Sequence, residues 1–192
     1  PALEREQIDD FIREQIRSYQ RTLSGSRRRL VKRYRYVDGA RKVVGVGSVG
    51  TRSYILLMIG RDHGDPLMMQ CKEAQASVLE PFLGASAFSS HGQRVVEGQR
   101  MLQATSDVLL GWTSGDGIDG VRRDFYIRQL WDNKASVDVE SLSPAAMRTY
   151  AELCGWTLAR AHARSGDPIA ISGYLGSGDN FDRAIVSYSE AY

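Results

Sequence analysis

The sequence predicts an α+β fold: an antiparallel sheet of about five strands with one inserted helix, flanked by helices. Three observations carry this. At Arg41 the apolar pattern leaves the helical period and becomes β-branched and aromatic-rich. One helical stretch, His91–Asp107, then interrupts the strand-like segments. Finally, Ser143-Pro144 reopens helix as N-cap and first-turn proline.

In chain order, Glu4–Leu23 reads as an amphipathic helix with Ile8, Phe11, Ile12, Ile16, Tyr19 and Leu23 on one face, broken by "SGS" at Ser24–Ser26. "RRRLVKRYR", Arg27–Arg35, is a cationic run, read either as an anion patch or as a solvated face. "RKVVGVG" and "TRSYILLMIG" are predicted strands, "RDHGDP" a turn, and "LMMQCKEA" a third strand. The helix His91–Asp107 points Val95, Val96 and Leu102 inward. "VLLGWT" and "DFYIRQLWD" are two further strands joined by the loop "SGDGIDGVRR". The helix opened by Pro144 carries a stripe of Met147, Tyr150, Ala151, Cys154, Leu158 and Ala161, expected to be buried. A glycine-rich loop, "SGYLGSGDN", precedes a last helix from Phe181. The chain thus divides into three segments: helical 1–40, a sheet lobe 41–140, and helical 141–192.

Composition narrows the function classes. The chain has 192 residues, is 42% hydrophobic and carries a formal charge of +2, values that suit a globular protein and disfavour nucleic acid as a partner. The apolar run Tyr54–Ile59 is too short to span a bilayer, so no membrane partner is expected. Cys71 and Cys154 sit singly in apolar segments and read as buried thiols of a reducing, cytoplasmic compartment. The opening proline and the uncapped helical pattern at "SYSEAY" read as part of a longer protein. His63, His91 and His162 have no companions at metal-ligand spacing, so no metal site is expected from them; His63 and His91 read as exposed.

The chemistry centres on Gly45-x-Gly47-x-x-Gly50. A dinucleotide loop runs from strand into helix, yet here Gly50 is followed by strand. No Gly-Lys-Ser/Thr comes after it either, which removes a P-loop. Strand, glycine loop, strand is the arrangement of the protein-kinase loop that covers nucleotide phosphates. Glycines let the backbone lie against the phosphates, and Ser48 at the tip adds a small residue. Such a loop requires a lysine on the next strand, and "MMQCKEA" supplies Lys72. A helix glutamate should orient that lysine; Glu97 is the first candidate, with Glu73 and Glu80 as rivals. Gln129, Leu130 and Trp131 would then present backbone groups to an adenine edge. ATP with Mg²⁺ is the expected cofactor. Locally, only Asp167 in "HARSGDP" and Asp182 in "GDNFD" offer catalytic carboxylates, and Asp167 beside Pro168 also reads as a turn former.

The stretches "KVVGVGSVGTR", "KEAQASVLEP", "GQRVVEGQRMLQATSDVLLGW", "YIRQLWDNK" and "CGWTLARAHARSGD" resemble the bacterial family known as domain of unknown function 2252, from about Arg28 onward. Members look like relatives of the kinase-like phosphotransferase superfamily. The resemblance implies two further motifs, "GDxHxxNFG"-like and "DFDE"-like, upstream of the glycine loop in permuted order. Neither is in this chain, which thus resembles the C-terminal part of a member. The expected function is the ATP-binding part of a phosphotransferase with a small-molecule or protein acceptor, completed by an upstream segment. A non-catalytic nucleotide-sensing or interaction module is the alternative, and a nucleic-acid binder using Arg27–Arg35 a third.

Overall fold

The computed structural model describes residues 2–42, 50–117, 119–130 and 136–192, with residues 2–8 by backbone alone. The chain divides into two compact units, residues 1–100 with 105–135, and residues 101–104 with 136–192.

The first unit is built on a five-stranded sheet of order β1-β2-β3-β5-β4, with every neighbouring pair antiparallel. The strands are β1 (Arg35–Arg41), β2 (Ser53–Ile59), β3 (Pro66–Ala74), β4 (Gly111–Asp116) and β5 (Arg122–Gln129). The helices are α1 (Ala2–Arg21), α2 (Gly25–Val31), a single turn α3 (Glu80–Leu83) and α4 (His91–Leu102), which is inserted between β3 and β4. The predicted α+β class and the five-stranded antiparallel sheet are therefore present.

Register assigns the two faces of the sheet. Tyr54 lies opposite Cys71, which lies opposite Ile127; two residues along, Leu56 lies opposite Met69. Paired residues share a face and alternate residues do not. This face meets α1 through Ile16 and Tyr19, and with Leu23, Met58 and Phe125 makes the hydrophobic core. Full burial of each large apolar side chain here contributes about 1.5–3 kcal/mol. Two close approaches fix α1: the Tyr19 hydroxyl donates to the Leu109 carbonyl, and a Cβ at Gly111 would lie 2.7 Å from Thr22 Oγ1. Burial beside Asp107 raises the Tyr19 phenol far above its ordinary range, so it stays a donor. Arg28 explains part of the cationic run. Its guanidinium donates to the carbonyls of Gln20, Arg21 and Leu23, satisfying the open C-terminal end of α1.

The first strand runs Arg35–Arg41, through a stretch read from sequence as part of the cationic run and of the helical segment 1–40; of the predicted strand "RKVVGVG", residues 43–47 lie outside the described residues. Tyr36 supplies the reason, since its buried ring joins the core and draws this earlier segment into register with Met58. The inserted helix is also shorter than predicted, ending at Leu102, which is exposed rather than inward. Asp107 accounts for the early end: its two carboxylate oxygens accept from Leu109 N and Gln129 N, each at 2.7 Å, organising a turn instead of another helical one. Both ends of the predicted loop "SGDGIDGVRR" are strand, Ser114–Asp116 in β4 and Arg122–Arg123 in β5, and the turn between them includes Gly120 with φ 71°.

The second unit holds α5 (Pro144–Ser165), α6 (Pro168–Leu175) and α7 (Asn180–Ala191), after one 3-10 turn at Val139–Ser141. Ser143 caps α5 as predicted, its hydroxyl accepting from Ala146 N. None of its described residues is buried. The predicted apolar stripe of α5 is exposed or half-buried, Leu158 and Cys154 among the exposed residues. The periodicity marks which side of α5 is apolar, and apolar spacing by itself does not require that side to be covered. Among the described residues, no helix is long and apolar enough to cross a membrane.

Candidate functional site

The face of the sheet opposite α1 carries Lys72. Lys72 on β3 lies opposite Ser53 on β2 and Tyr126 on β5, and Tyr126 lies opposite Trp112 on β4. These side chains form one cross-strand row. Helix α4 covers the Trp112 end of that row. Gly92 approaches β5 so closely that a Cβ there would collide with the Phe125 carbonyl oxygen. The helix N-terminus is tied to β5, the Asp124 carboxylate accepting from His91 N at 2.6 Å. Near the other end of the helix, Arg100 stacks over Trp112 with 5.7 Å to the ring centroid and donates to the Leu110 carbonyl. The strand-borne lysine and the inserted helix thus share one side of the sheet.

Glu97, in the middle of α4, accepts from Arg100 Nη1 at 2.9 Å, an (i, i+3) pair. Its rivals are engaged elsewhere. Glu80 Oε1 accepts from Ser77 N and lies 4.0 Å from His91 Nδ1. His91 is half-buried, not exposed as expected, and its Nδ1 is buried without a hydrogen-bond partner. Glu73 turns to the opposite face, where its carboxylate holds Arg52 through both backbone and side chain.

That last contact fixes the residues that follow the glycine-rich stretch. Gly45, Gly47 and Ser48 lie outside the described residues, as does Trp131. The loop's exit is described: Gly50 has φ 84°, a conformation that favours glycine. Thr51 and Arg52 then run beside the end of β3, with Glu73 N donating to Arg52 O at 2.8 Å. Lys72 is thus adjacent to the residue against which the loop exit is pinned. On this side of the sheet a polar hollow of about 570 Å³ opens near Ala74, Ser90, Ser114 and Asp124. At the other end of β5, Gln129 N donates to Asp107 and Leu130 N donates to the Met68 carbonyl at 2.8 Å. Both N–H groups are thereby committed within the sheet unit.

Asp167 and Asp182 both lie in the second unit. Asp167 is the N-cap of α6, its Oδ1 accepting from Ile169 N and Ala170 N at 2.9 and 3.2 Å, ahead of Pro168. Asp182 is exposed in the first turn of α7. Arg164, three residues before Asp167, donates to the Met101 carbonyl rather than to Asp167. Among the described residues no group of three or more His, Cys, Asp or Glu side chains converges as a metal site. These residues therefore do not by themselves fit Mg²⁺, which takes several oxygens in octahedral geometry.

The ion-pair network behind Lys72 was missed from sequence. Arg52 bonds Glu73, and Asp119 grips Arg123 through both oxygens at 2.6 Å. The Arg123 guanidinium and the Val121 N–H hold the Asp119 carboxyl far below the usual carboxylate range. Its signal, Arg and Glu at the facing ends of two strands, is readable only once the register is known.

Comparison with known proteins gives one match. Residues 3–192 match the family model described as "Uncharacterized protein conserved in bacteria (DUF2252)". No curated protein and no solved structure matches the chain. With the match spanning nearly its whole length, the chain belongs to the DUF2252 family.

Proposed function

We propose that this chain is the nucleotide-binding part of a kinase-like phosphotransferase, taking ATP and, in the complete site, Mg²⁺. The observation that carries the reading is the placement of Lys72 beside the pinned exit of the glycine-rich connection, on the side of the sheet that α4 covers. Strand–glycine loop–strand, a lysine on the following strand and an inserted helix with a central glutamate then occur in one unit and in that order.

In this reading the connection between β1 and β2 lays backbone N–H groups along the phosphates. Lys72 offsets their negative charge, which would otherwise repel the attacking oxygen. Glu97 would orient Lys72 by exchanging its present partner, Arg100. The bound metal would supply charge neutralisation of the phosphates. Catalytic carboxylates would come from an upstream segment of the same protein, since Asp167 is spent as a helix cap. The acceptor is a small molecule or a protein.

A second reading has its own support. With Asp167 capping α6 and Asp182 exposed in the first turn of α7, a nucleotide-sensing or interaction module without turnover fits the described residues equally well. Calorimetric titration of ATP, with and without Mg²⁺, into the wild type and Lys72→Ala separates these. Binding lost by about tenfold or more in Lys72→Ala supports a nucleotide site. Release of phosphate or its transfer distinguishes enzyme from sensor. Equal ATP affinity in the two proteins would remove the nucleotide reading.

A further inference from the structure

The opposite side of the sheet holds a cavity that the nucleotide reading does not use. Helix α1 packs tightly against β4, where the Thr113 hydroxyl donates to Gln15 Oε1 at 2.8 Å. Over the middle of the sheet it stands off. There a cavity of about 260 Å³ lies between Phe11 and Ile16 of α1 and Tyr54, Cys71, Phe125 and Ile127 of the sheet. Protein interiors leave few voids larger than a water molecule. An apolar cavity of roughly 150 Å³ in another protein stays dry and takes up benzene. This one is larger, and its walls are hydrocarbon and aromatic, with the Tyr54 and Phe125 rings tilted at 60° and 6.3 Å apart.

The charge at its rim decides what it would hold. Arg52 and Arg123 border the cavity, but each already has a carboxylate, Glu73 and Asp119 respectively. An anionic ligand would have to displace one of them. The Cys71 thiol, buried with its pKa pushed up to about 12, offers no thiolate for covalent capture or for a metal. A neutral ligand needs none of these exchanges, and gains the burial of its apolar surface.

We infer that the cavity between α1 and the sheet is a binding site for an uncharged, largely aromatic small molecule of about the size of indole. Its occupant would fasten α1 to the sheet from the face opposite Lys72. Arg52 belongs both to its rim and to the loop exit, so occupancy reaches the glycine-rich connection from behind.

The test uses the whole chain with indole as probe and benzoate as its charged counterpart. Indole is expected to raise the melting temperature with a saturable dose dependence. It should shift the isoleucine methyl signals of Ile16 and Ile127 but not of Ile55, which lies on the other face. Benzoate should be at least about tenfold weaker, and Lys72→Ala should leave indole binding unchanged. Cys71→Met, which fills the space, should abolish the indole effect. Should that variant fail to fold, the wild-type methyl shifts still decide. Unmoved Ile16 and Ile127 signals at saturating indole would overturn the site, and benzoate binding equally well would overturn the uncharged class. Because these readouts need no nucleotide, failure of the ATP reading would leave them intact.

Discussion

The carboxylate of Glu73 accepts from both the backbone N–H and the guanidinium of Arg52, at 3.0 and 3.3 Å, joining the end of β3 to the start of β2. Glu73 is buried, with only 8% of its side chain exposed, whereas Arg52 is 35% exposed. Solvent therefore screens the pair, and most of the cost of breaking it is the orphaned N–H. Glu73→Ala should lose about 1–2 kcal/mol in urea denaturation. If the chain is a nucleotide-binding lobe, it should also weaken ATP by freeing the loop exit, while Glu80→Ala should not.

The two internal glycines of α4 should respond in opposite directions. A Cβ at Gly92 would press on the Phe125 carbonyl, and Gly98 has nothing within 4 Å. Gly98→Ala should gain about 0.5–1 kcal/mol from helix propensity. Gly92→Ala should lose about 1–3 kcal/mol through overpacking against backbone. Thermal denaturation of both variants checks the sign. A stabilised Gly92→Ala would mean that the helix does not lie on β5.

Asp167 separates capping from catalysis. Asp167→Ala should cost about 1 kcal/mol of stability by removing the cap of α6. Asp167→Ser, another good cap, should restore most of it. Any phosphate turnover should be unaffected by Asp167→Ser. Abolished turnover in a stably folded Asp167→Ser would return the residue to the catalytic candidates.

The cysteines should differ in reactivity and confer a pH dependence. Cys154 is exposed and Cys71 buried, so iodoacetamide should modify Cys154 first and Cys71 only on unfolding. The Cys71 thiol has a pKa of about 12 in the folded chain against an ordinary 9.0. The folded state then keeps a proton that the unfolded state loses, so stability falls as pH rises from about 9 to about 12. Equilibrium unfolding across that range should show the decline, and Cys71→Ala should flatten it beyond the loss caused by truncation.

Much of the fold was legible because periodicity survives local detail. Ile16, Tyr19 and Leu23 lie where the helical stripe puts them, and the strand character of Ser53–Ile59 and Pro66–Ala74 comes from β-branched and apolar content. The hidden part depends on contacts far apart in sequence. The start of the first strand at Arg35 was hidden because Tyr36 finds its place only against Met58. The α5 stripe was read as buried because a pattern states which face is apolar, not whether anything covers it. For the candidate site, Lys72 and the glycine spacing were readable from type and order. The partners of Glu97, Glu73 and Asp167 were not, since each is settled by local geometry: a neighbour one turn away, a facing strand, a helix terminus.

The irregularity in β1 has a consequence of another kind. Tyr36 pairs with Met58 and Asp38 with Leu57, leaving Val37 as the extra residue of a bulge on a strand that, among the described residues, has a neighbour on one side only. An open strand is a template for other chains, and flat, apolar examples seed fibres. Here the ribbon is kinked, seven residues long, and carries Arg35, Asp38 and Arg41. A second molecule offered this border would meet charges and a broken repeat of donors and acceptors. The strand that leads into the glycine-rich connection thereby also resists self-association through the sheet.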